Sequence, residues 1–374
     1  MLASQASLPQ PFLSQQGFHI TLIEKKENFI SGMGICLPPN ATFALKKMNI
    51  LNKILKKSFT ADNWKVTTES GENLIEINMQ QYFSNETPFI STERSVLHRA
   101  IMDLTPIPIQ PGLQFDKIEE NNENTLSVRF QDGSIKKFEF MIAADGLYSK
   151  IRQQLFPQNH VGYLGVACYR LLVPKPPYID RVHFALAQGG FMLAHPVNKK
   201  LLYCGIVFPQ SEKQKTNMDK QFCSVARQFK ALFPDVLSSP SLNPLPGWME
   251  TVSSPVFAQD RVLFMGDAGH GCATSLQQGA ALALEDAIVF SDQMGLYGDF
   301  LKARDAFIHL RRPRIEWVTQ SSNECMLQLN KKYDSTERAL QMEHIKKEGP
   351  QNFKLWKKLF QENPFNYSEK INLL

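Results

Sequence analysis

The sequence lacks the cysteine and apolar patterns that would assign it to several common classes of protein. Its six cysteines form no CxxC pair, and none stands at a metal-ligand spacing from a histidine. We therefore expect neither a disulfide scaffold nor a metal site, and we predict a reduced, cytoplasmic protein. No apolar run approaches the ~20 residues of a membrane-spanning helix. No basic residue precedes Lys25, so no secretory signal peptide is expected.

The chain also lacks a strong excess of charge of either sign. Its 41 lysine and arginine residues and 36 acidic residues give a net charge of +5, spread along the sequence. Nucleic-acid binding is not expected, because it requires a clustered basic surface. A chain of 374 residues, 43% of them hydrophobic, can bury a large core and form two closely joined lobes. Its partner is expected to be a small molecule, and the positive charge mildly favours an anionic one.

The most informative stretch is residues 260–290. Residues 262–265 are continuously apolar, which is typical of a strand buried in a parallel sheet. Gly266 and Asp267 end this strand, a loop of small and polar residues follows, and an alanine-rich helix begins near Gly279. Strand ends in α/β sheets bind ligands, and a helix N-terminus presents free N–H groups to anions. An ordinary strand–loop–helix unit, with small residues for packing only, explains this spacing about equally well.

Two further strands are expected to end in acidic residues. Residues 17–24 indicate a turn and a strand that ends at Glu24, and residues 135–144 indicate a strand followed by Asp145 and Gly146. If these strands share one sheet with residues 262–265, their ends converge on a single crevice. That convergence is the argument from the residues themselves for a nucleotide-binding site.

The motifs at these strand ends resemble those of a known family. Residues 145–152 match a D-G-x-x-S-x-x-R pattern at every defined position. The later stretch matches a GD motif at Gly266, Asp267, Ala268, His270, Gly279, Glu285, Asp286 and Ala287. Both are similar to motifs of the FAD-dependent monooxygenases of the aromatic-hydroxylase type (group A, para-hydroxybenzoate and salicylate hydroxylase-like), over about residues 17–320. Thr274 and Gln277 depart from the family, which usually has proline and glycine at these positions.

The resemblance implies an α/β fold with three parts. The first is an FAD-binding, Rossmann-like domain of the glutathione-reductase type, over residues 1–60, 91–158 and 249–298 and incomplete at its N-terminus. The second is an inserted antiparallel-sheet substrate domain, over residues 61–90 and 159–248. Residues 299–374 would form a C-terminal helical region, in which the amphipathic residues 353–360 are expected to pack against the protein rather than lie on a membrane.

The resemblance also assigns the cofactor and its contacts. FAD is the expected cofactor, with NAD(P)H as co-substrate. Asp267 and Glu24 would hold ribose hydroxyls, whereas Arg94, Asp145 and Arg152 would hold the phosphate region. The N-terminus of the helix that begins near Gly279 would face the flavin. The expected cofactor-binding residues are Glu24, Arg94, Asp145, Gly146, Arg152, Gly266, Asp267, Gly279 and Ala280.

The substrate lobe is expected to supply an aromatic wall. Candidate lining residues are Tyr169, Phe191, His195 and Tyr203, on strand-like segments between residues 161 and 208. Because side chains alternate along a strand, about half of such candidates face away from the pocket. A structural role for His195 is the alternative to a hydrogen-bonding one, and no catalytic base is assigned.

The implied reaction is that of the family. NAD(P)H reduces FAD, and the reduced cofactor uses O2 to hydroxylate or epoxidise a small, aromatic or apolar organic substrate. Two alternatives stay open: an inactive relic of the fold with a binding role, and a flavin oxidoreductase that transfers no oxygen.

The N-terminus lacks a feature that the family has. No glycine precedes Gly17, whereas a GxGxxG loop is expected about 20 residues before an acid such as Glu24. Three explanations are open: a truncated or mis-assigned start, a natural loss of the loop, or a different backbone path of residues 1–16. We favour loss or truncation, which predicts that this chain lacks the usual pyrophosphate loop.

Overall fold

The fold was analysed in a computed structural model. The structure describes residue 13 and residues 17–24, 33–82, 86–104, 109–111, 113–237 and 244–366. Apart from Leu13, the first sixteen residues, to which the missing-loop prediction refers, lie outside the described residues. None of the described helices is both long and apolar enough to cross a membrane.

The elements alternate between strands and helices in the first half and become mainly helical after residue 266. The strands are β1 (Leu22–Glu24), β2 (Gly34–Leu37), β3 (Phe59–Thr60), β4 (Asn63–Thr68), β5 (Asn73–Asn78), β6 (Ile90–Glu93), β7 (Ile109–Pro111), β8 (Phe115–Asn121), β9 (Leu126–Phe130), β10 (Ile135–Phe138), β11 (Met141–Ala143), β12 (Val161–Pro174), β13 (Val182–Ala187), β14 (Gly190–Pro196), β15 (Leu201–Pro209), β16 (Leu245–Val252), β17 (Ala258–Gln259) and β18 (Val262–Phe264). The α-helices are α1 (Pro39–Lys47), α2 (Leu51–Leu55), α3 (Arg94–Met102), α4 (Lys150–Leu155), α5 (Lys215–Gln228), α6 (Pro234–Leu237), α7 (Asp267–His270), α8 (Gly279–Tyr297), α9 (Phe300–Leu327), α10 (Ser335–Glu348) and α11 (Gln351–Gln361). Short 3-10 turns lie at Met79–Gln81, Thr274–Leu276 and Gln328–Asn330.

The expected buried parallel strand is confirmed at β18. Its three residues are fully buried, and it pairs in parallel with β11, with Ala143 opposite Phe264. Asp145 and Asp267 therefore follow the adjacent ends of two parallel strands, as the sequence predicts. Apolar residues on both faces explain the position, since only a strand covered on both sides can bury every side chain.

The third acid-ending strand is placed differently from the expectation of a single shared sheet. Among the described residues, β1 pairs in parallel with β7, and Glu24 is in register with Pro111. Within the described residues, the sheet that contains β11 and β18 has β17 as its third strand and does not include β1. Strand pairing depends on long-range packing, which the local sequence of residues 17–24 does not encode.

The strands of the predicted substrate domain form one seven-stranded sheet in the order β16-β12-β15-β14-β13-β4-β5. Most neighbours are antiparallel, as expected, but β13 and β4 are parallel. The sheet includes both β4–β5 and β12–β16, which are far apart in the sequence. The division of the chain into domains stays a prediction.

Two long helices close the core beneath β18. Helix α8 is buried over residues 281–291 and ends at Tyr297, and the following Gly298 caps it with a positive φ of 61° that suits glycine. The Asp299 side chain then accepts a hydrogen bond from the Lys302 N–H and caps α9. Phe290 lies 6.0 Å, ring centroid to centroid, from Phe307 of α9. Such edge-to-face pairs add about 0.5–1.5 kcal/mol to the stabilisation from burial itself.

The C-terminal helix packs against the protein, as its amphipathic sequence predicts. Phe353, Trp356 and Leu359 are buried on one face of α11. Trp356 lies 5.3 Å from Trp64 of β4, centroid to centroid, and its indole N–H donates to the Leu276 carbonyl at 3.0 Å. Helix α11 therefore joins the large sheet to the loop that precedes α8.

Candidate functional site

One large cavity lies between the start of α8, helix α3, the seven-stranded sheet and the C-terminal helices. Its volume is about 1420 Å³. Pockets for drug-sized ligands usually measure roughly 300–1,000 Å³. The cavity is therefore large enough for a cofactor ring and a second molecule beside it.

Asp267 contributes a half-buried carboxylate to this cavity. It follows β18 directly, after Gly266, whose φ of 57° bends the chain out of the strand. Burial raises the pKa of Asp267, while the positive charge of Arg94 opposes this shift. Among the described residues, no group donates a hydrogen bond to the carboxylate oxygens. The carboxylate is thus positioned to accept hydrogen bonds from a ligand.

The N-terminus of α8 faces the same space. Gly279, Ala280 and Ala283 line the cavity, and their small side chains leave the backbone of the first turn accessible. A Cβ at Gly279 would lie 3.6 Å from Asp267 Oδ1. A helix of this length carries about half a unit of positive charge at its N-terminus. This end of the cavity therefore favours a flat ligand with negative charge.

A buried charge network supports the site from beneath; it consists of Asn40, His270, Gln278, Glu285, Asp286, Arg311 and Arg314. Asp286 is its link to the strand end. One carboxylate oxygen of Asp286 accepts from the Gly266 N–H at 3.1 Å and contacts His270 Nε2 at 2.7 Å. The other accepts from Arg311 Nε at 2.9 Å. Asp286 thereby holds the residues that orient Asp267.

Glu285 is the second centre of the network. It accepts hydrogen bonds from Arg311 Nη1 at 2.7 Å and from Arg314 Nε at 2.9 Å. Asn40 Nδ2 donates to Glu285 at 2.6 Å and to Gln278 Oε1 at 2.8 Å. These contacts tie α1, α8 and α9 together directly behind the residues that face the cavity.

Ion pairing keeps both carboxylates of the network charged. Burial alone would raise the pKa of Glu285, but Arg314 and Arg311 outweigh burial and lower it. Burial likewise opposes ionisation of Asp286, and the charges of His270 and Arg311 lower its pKa. The two carboxylates are compensated by Arg311, Arg314 and His270, and such compensation is the condition under which buried charges are tolerated.

The residues after β11 serve mainly the local structure. Asp145 accepts from the Lys150 N–H at 2.9 Å, and Ser149 caps α4 by accepting from the Arg152 N–H. Arg152 is fully buried and donates to the carbonyl oxygens of Leu147 and Ala268, which joins the two motifs. Of this segment, Leu147 lines the cavity.

Five of the nine expected cofactor-binding residues, including Gly266, therefore do not line the cavity. Glu24 is buried at the end of β1, and the cavity lining includes none of Glu24, Asp145, Gly146 and Arg152. Arg94, Asp267, Gly279 and Ala280 do line it, and Gly266 supports it from the adjacent backbone. Cofactor contact by each of these residues stays a prediction.

The sheet forms the opposite wall of the cavity. Phe191, His195 and Tyr203 line this wall, and their contact with a substrate stays a prediction. Tyr169 faces the other side of the sheet, where its ring lies 4.4 Å from that of Phe222 of α5 and its hydroxyl donates to Asp219. The alternation of side chains along β12 explains this difference, since Cys168 and Arg170 face the cavity.

His195 and Tyr203 form a neutral polar pair within this wall. Their rings lie 4.8 Å apart, and His195 Nε2 lies 3.4 Å from the Cys36 sulfur. Burial lowers the pKa of His195 to about 3 and raises that of Tyr203. At neutral pH both groups are uncharged, so they can donate or accept hydrogen bonds without adding charge to the site.

Sequence reasoning did not identify two groups of residues at this site. Arg170 adjoins the candidate Tyr169 on β12, and alternation places it on the opposite face of the strand, which lines the cavity. The contacts of Arg311 and Arg314 with Glu285 were not detectable, since they join residues 26 and 29 positions apart on different helices. Glu285 and Asp286 match the GD motif, but the motif does not indicate which residues their carboxylates contact.

Comparison with known proteins identifies relatives across most of the chain. No protein-family model matches. The putative FAD-dependent monooxygenase YetM of Bacillus subtilis (strain 168) is 25% identical over 328 residues, which cover 83% of this chain and 88% of YetM. A 6-hydroxynicotinate 3-monooxygenase of Bordetella bronchiseptica is 24% identical over 307 residues, which cover 76% of this chain and 79% of that enzyme. The resemblance to FAD-dependent monooxygenases is confirmed.

Solved structures share the fold. Klebsiella pneumoniae HpxO in complex with FAD and uric acid matches with a TM-score of 0.81 at 18% identity, covering 96% of this chain and 94% of HpxO. The tetrameric 2-methyl-3-hydroxypyridine-5-carboxylic acid oxygenase matches with a TM-score of 0.74 at 17% identity, covering 96% and 94%. The predicted α/β fold class is confirmed.

Proposed function

We propose that this chain, as a member of the FAD-dependent monooxygenases of the aromatic-hydroxylase type, binds FAD in the large cavity and oxygenates a small aromatic molecule. NAD(P)H is the proposed electron donor and O2 the proposed oxygen source. The observation that carries the proposal is the meeting of Asp267, Arg94, the α8 N-terminus and an aromatic wall in one cavity.

The residues of the cavity fit FAD by their chemistry. Asp267 presents a half-buried carboxylate for hydroxyl donors, which matches the ribose part of the cofactor. Burial lowers the pKa of Arg94 and the charge of Asp267 partly opposes this shift, but Arg94 makes no ion pair within 4.0 Å among the described residues. A phosphate group would provide a direct ion-pairing partner. The accessible N-terminus of α8, which carries partial positive charge, suits the flavin ring.

The redox chemistry would come from the cofactor: bound FAD takes two electrons from NAD(P)H and activates O2. The overall balance is one substrate C–H, NAD(P)H, H⁺ and O2 giving substrate C–OH, NAD(P)⁺ and H2O. The protein's own part is binding, orientation and exclusion of water. The positive end of α8 stabilises negative charge that develops next to it, because its N–H groups are fixed in place.

The substrate would lie between α8 and the sheet wall. Phe191 and Tyr203 provide aromatic surface, and neutral His195 and Tyr203 provide hydrogen-bonding groups for a ring substituent. Arg170 adds a positive charge to this wall. The Bordetella relative acts on 6-hydroxynicotinate, and HpxO was crystallised with uric acid. We therefore propose a planar, polar-substituted aromatic substrate.

The proposal is tested by two measurements on the purified full-length chain. The visible absorption spectrum after FAD addition and gel filtration reports whether FAD stays bound. NAD(P)H oxidation is then followed with a panel of hydroxylated heteroaromatic acids under 18O2, and the products are examined by mass spectrometry.

The outcomes separate the three functions. Retained flavin bands with an 18O-labelled product support the monooxygenase. Retained flavin with substrate-dependent NAD(P)H oxidation but no label identifies an oxidoreductase without oxygen transfer. A colourless protein that takes up no FAD identifies an inactive relic and overturns the proposal.

A further inference from the structure

Gln277 has a backbone conformation that is unusual for its residue type. Three non-glycine residues have a positive φ among those described: Asn49, Asp260 and Gln277. Asparagine and aspartate adopt this left-handed region readily, whereas glutamine does so rarely. Gln277 follows the 3-10 turn Thr274–Leu276 with φ 55° and ψ 34°. A glycine would fit this backbone with less strain.

Neighbouring contacts hold Gln277 in this conformation. The Leu276 carbonyl accepts from Trp356 Nε1 at 3.0 Å and from Gln278 Nε2 at 3.3 Å. On the other side, Gln278 accepts from Asn40 Nδ2 at 2.8 Å as part of the buried charge network. Both flanking residues are therefore fixed by distant elements, and the backbone between them has little freedom to relax.

The side chains of the two adjacent glutamines differ in how their hydrogen bonds are satisfied. Gln278 is fully buried, and its amide makes hydrogen bonds with Asn40 and the Leu276 carbonyl. Gln277 lines the cavity, and its Oε1 is buried without a hydrogen-bond partner among the described residues. A buried amide oxygen without a donor is unfavourable, so such a group indicates a partner that is present during function.

We propose that the Gln277 side-chain amide binds the imide edge of the flavin ring, a contact that rests on the proposed binding of FAD in this cavity. An imide edge presents one N–H between two carbonyl oxygens, and a primary amide supplies both an acceptor and two donors. Gln277 stands two residues before Gly279, at the end of the cavity that the α8 N-terminus makes positive. Rotation of the side-chain amide toward the cavity would bring Oε1 to the imide N–H and satisfy it.

This contact has two expected consequences. It strengthens FAD binding, because the amide acquires partners that it lacks in the free protein. It also raises the reduction potential of the flavin, because reduction increases the negative charge near the ring carbonyls and an amide N–H donor stabilises that charge. Neither consequence depends on substrate turnover.

The test compares three substitutions at one position with one at its neighbour. Gln277→Gly removes the amide and relieves the backbone, Gln277→Asn retracts the amide while tolerating the same backbone, and Gln277→Met keeps the size without polarity. Gln278→Met is the matched control for a purely structural amide. For each full-length protein, FAD affinity is measured by fluorescence quenching, the flavin reduction potential by dye equilibration, and the melting temperature without FAD.

Gln277→Gly and Gln277→Met are expected to bind FAD about tenfold more weakly, which corresponds to the loss of roughly one net hydrogen bond. Their flavin potentials should be more negative, and the glycine variant should melt no lower than the wild type without FAD. Gln278→Met should instead lower the melting temperature without FAD.

Wild-type FAD affinity and potential in both Gln277→Gly and Gln277→Met would overturn the assignment of Gln277 while leaving the proposed function intact. If these two variants keep wild-type FAD affinity and potential but bind an imide-containing aromatic such as urate more weakly, the amide contacts the substrate instead of the flavin. That outcome also contradicts the proposal. A wild-type chain that binds no FAD would overturn both proposals together. If the glycine variant does not fold, the asparagine and methionine variants decide the question by the same readouts.

Discussion

Two pairs of arginines, on opposite sides of the α8 N-terminal region, differ in how their charge is balanced. Beneath the helix, Arg311 and Arg314 make ion pairs with Glu285 and Asp286 at 2.7–3.0 Å. Facing the cavity, Arg94 and Arg170 form no ion pair within 4.0 Å among the described residues. Arg170 donates one long hydrogen bond of 3.3 Å to the Pro246 carbonyl.

This difference separates residues that hold the fold from residues that face a ligand. A buried cation whose charge is balanced by the protein contributes to structure, and its removal leaves uncompensated carboxylates. A cation in a cavity that makes no direct ion pair with the protein is available to an anionic group of a ligand. The comparison therefore predicts that substitutions of the first pair lower stability, whereas substitutions of the second pair lower affinity.

The largest expected effect is that of Arg311→Met. This change removes one positive partner from each buried carboxylate and leaves Glu285 with Arg314 and Asp286 with His270. Breaking a buried ion pair in this way costs about 3–5 kcal/mol of the free energy of unfolding. Lys302→Met, on the exposed face of the same helix, is the control and should stay within about 0.5 kcal/mol of the wild type. Urea denaturation of both variants checks the prediction, and equal midpoints would contradict it.

The pH dependence of this difference is the next prediction. The pKa values of Glu285 and Asp286 are lowered in the folded wild type, so their stabilising contribution is complete above the unfolded-state values of roughly 3.9–4.3. It is lost as the pH falls through the lower folded-state values. In Arg311→Met each of these carboxylates loses one of its positive partners, so protonation of the carboxylates at low pH relieves the variant more than the wild type.

The gap in unfolding free energy between wild type and Arg311→Met should therefore narrow as the pH decreases from about 5 toward 3. Denaturation curves at several pH values measure the gap. The pH effects on stability that are common to both proteins cancel in the difference between their unfolding free energies. A gap that stays constant or widens over this range would show that the network is not stabilised by charge.

Arg94→Gln should act on affinity instead of stability. If Arg94 meets the phosphate region of FAD, its loss removes a charge-assisted contact of about 1.5–3 kcal/mol, or roughly 10- to 150-fold in affinity. Burial lowers the pKa of Arg94, so its removal should not lower the melting temperature of the protein without FAD. Arg170→Gln, the matched variant on the substrate wall, should leave FAD affinity unchanged. A destabilised Arg94→Gln protein with normal FAD affinity would reverse the assignment.

The smallest expected effect is that of Tyr169→Phe, which separates the two faces of the large sheet. Its hydroxyl donates to Asp219 on the side away from the cavity, so only about 1 kcal/mol of stability should be lost. Binding of an aromatic substrate should not change. Tyr203→Phe, on the cavity face, should weaken substrate binding with little change in stability. Substrate titrations of both variants, monitored by flavin absorbance, distinguish the two faces.

The sequence predicted the parts of the site that lie within one strand–loop–helix unit. Asp267, Gly279 and Ala280 are close in the chain, and the end of β18 brings them to the cavity by local geometry alone. The turn at Gly133 between β9 and β10 was predictable for the same reason. In each case the relevant contacts span few residues, and the residue types determine the backbone.

Features that depend on distant contacts were not predictable. Nothing near Arg311 indicates that it meets Asp286, because the distance between α8 and α9 depends on the packing of the whole core. Alternation showed that some aromatic candidates would face away, but not that Tyr169 would be one of them. Pairing of β1 with β7 likewise depends on the arrangement of the complete sheet.

The most direct test of the central claim is the FAD content of the wild type and of Asp267→Ala after incubation with FAD and gel filtration. The account predicts flavin absorbance in the wild-type protein peak and its near loss in Asp267→Ala, with similar melting temperatures for the two proteins without FAD. Equal flavin content in both, or no flavin in the wild type, would contradict the assignment of this cavity as the cofactor site.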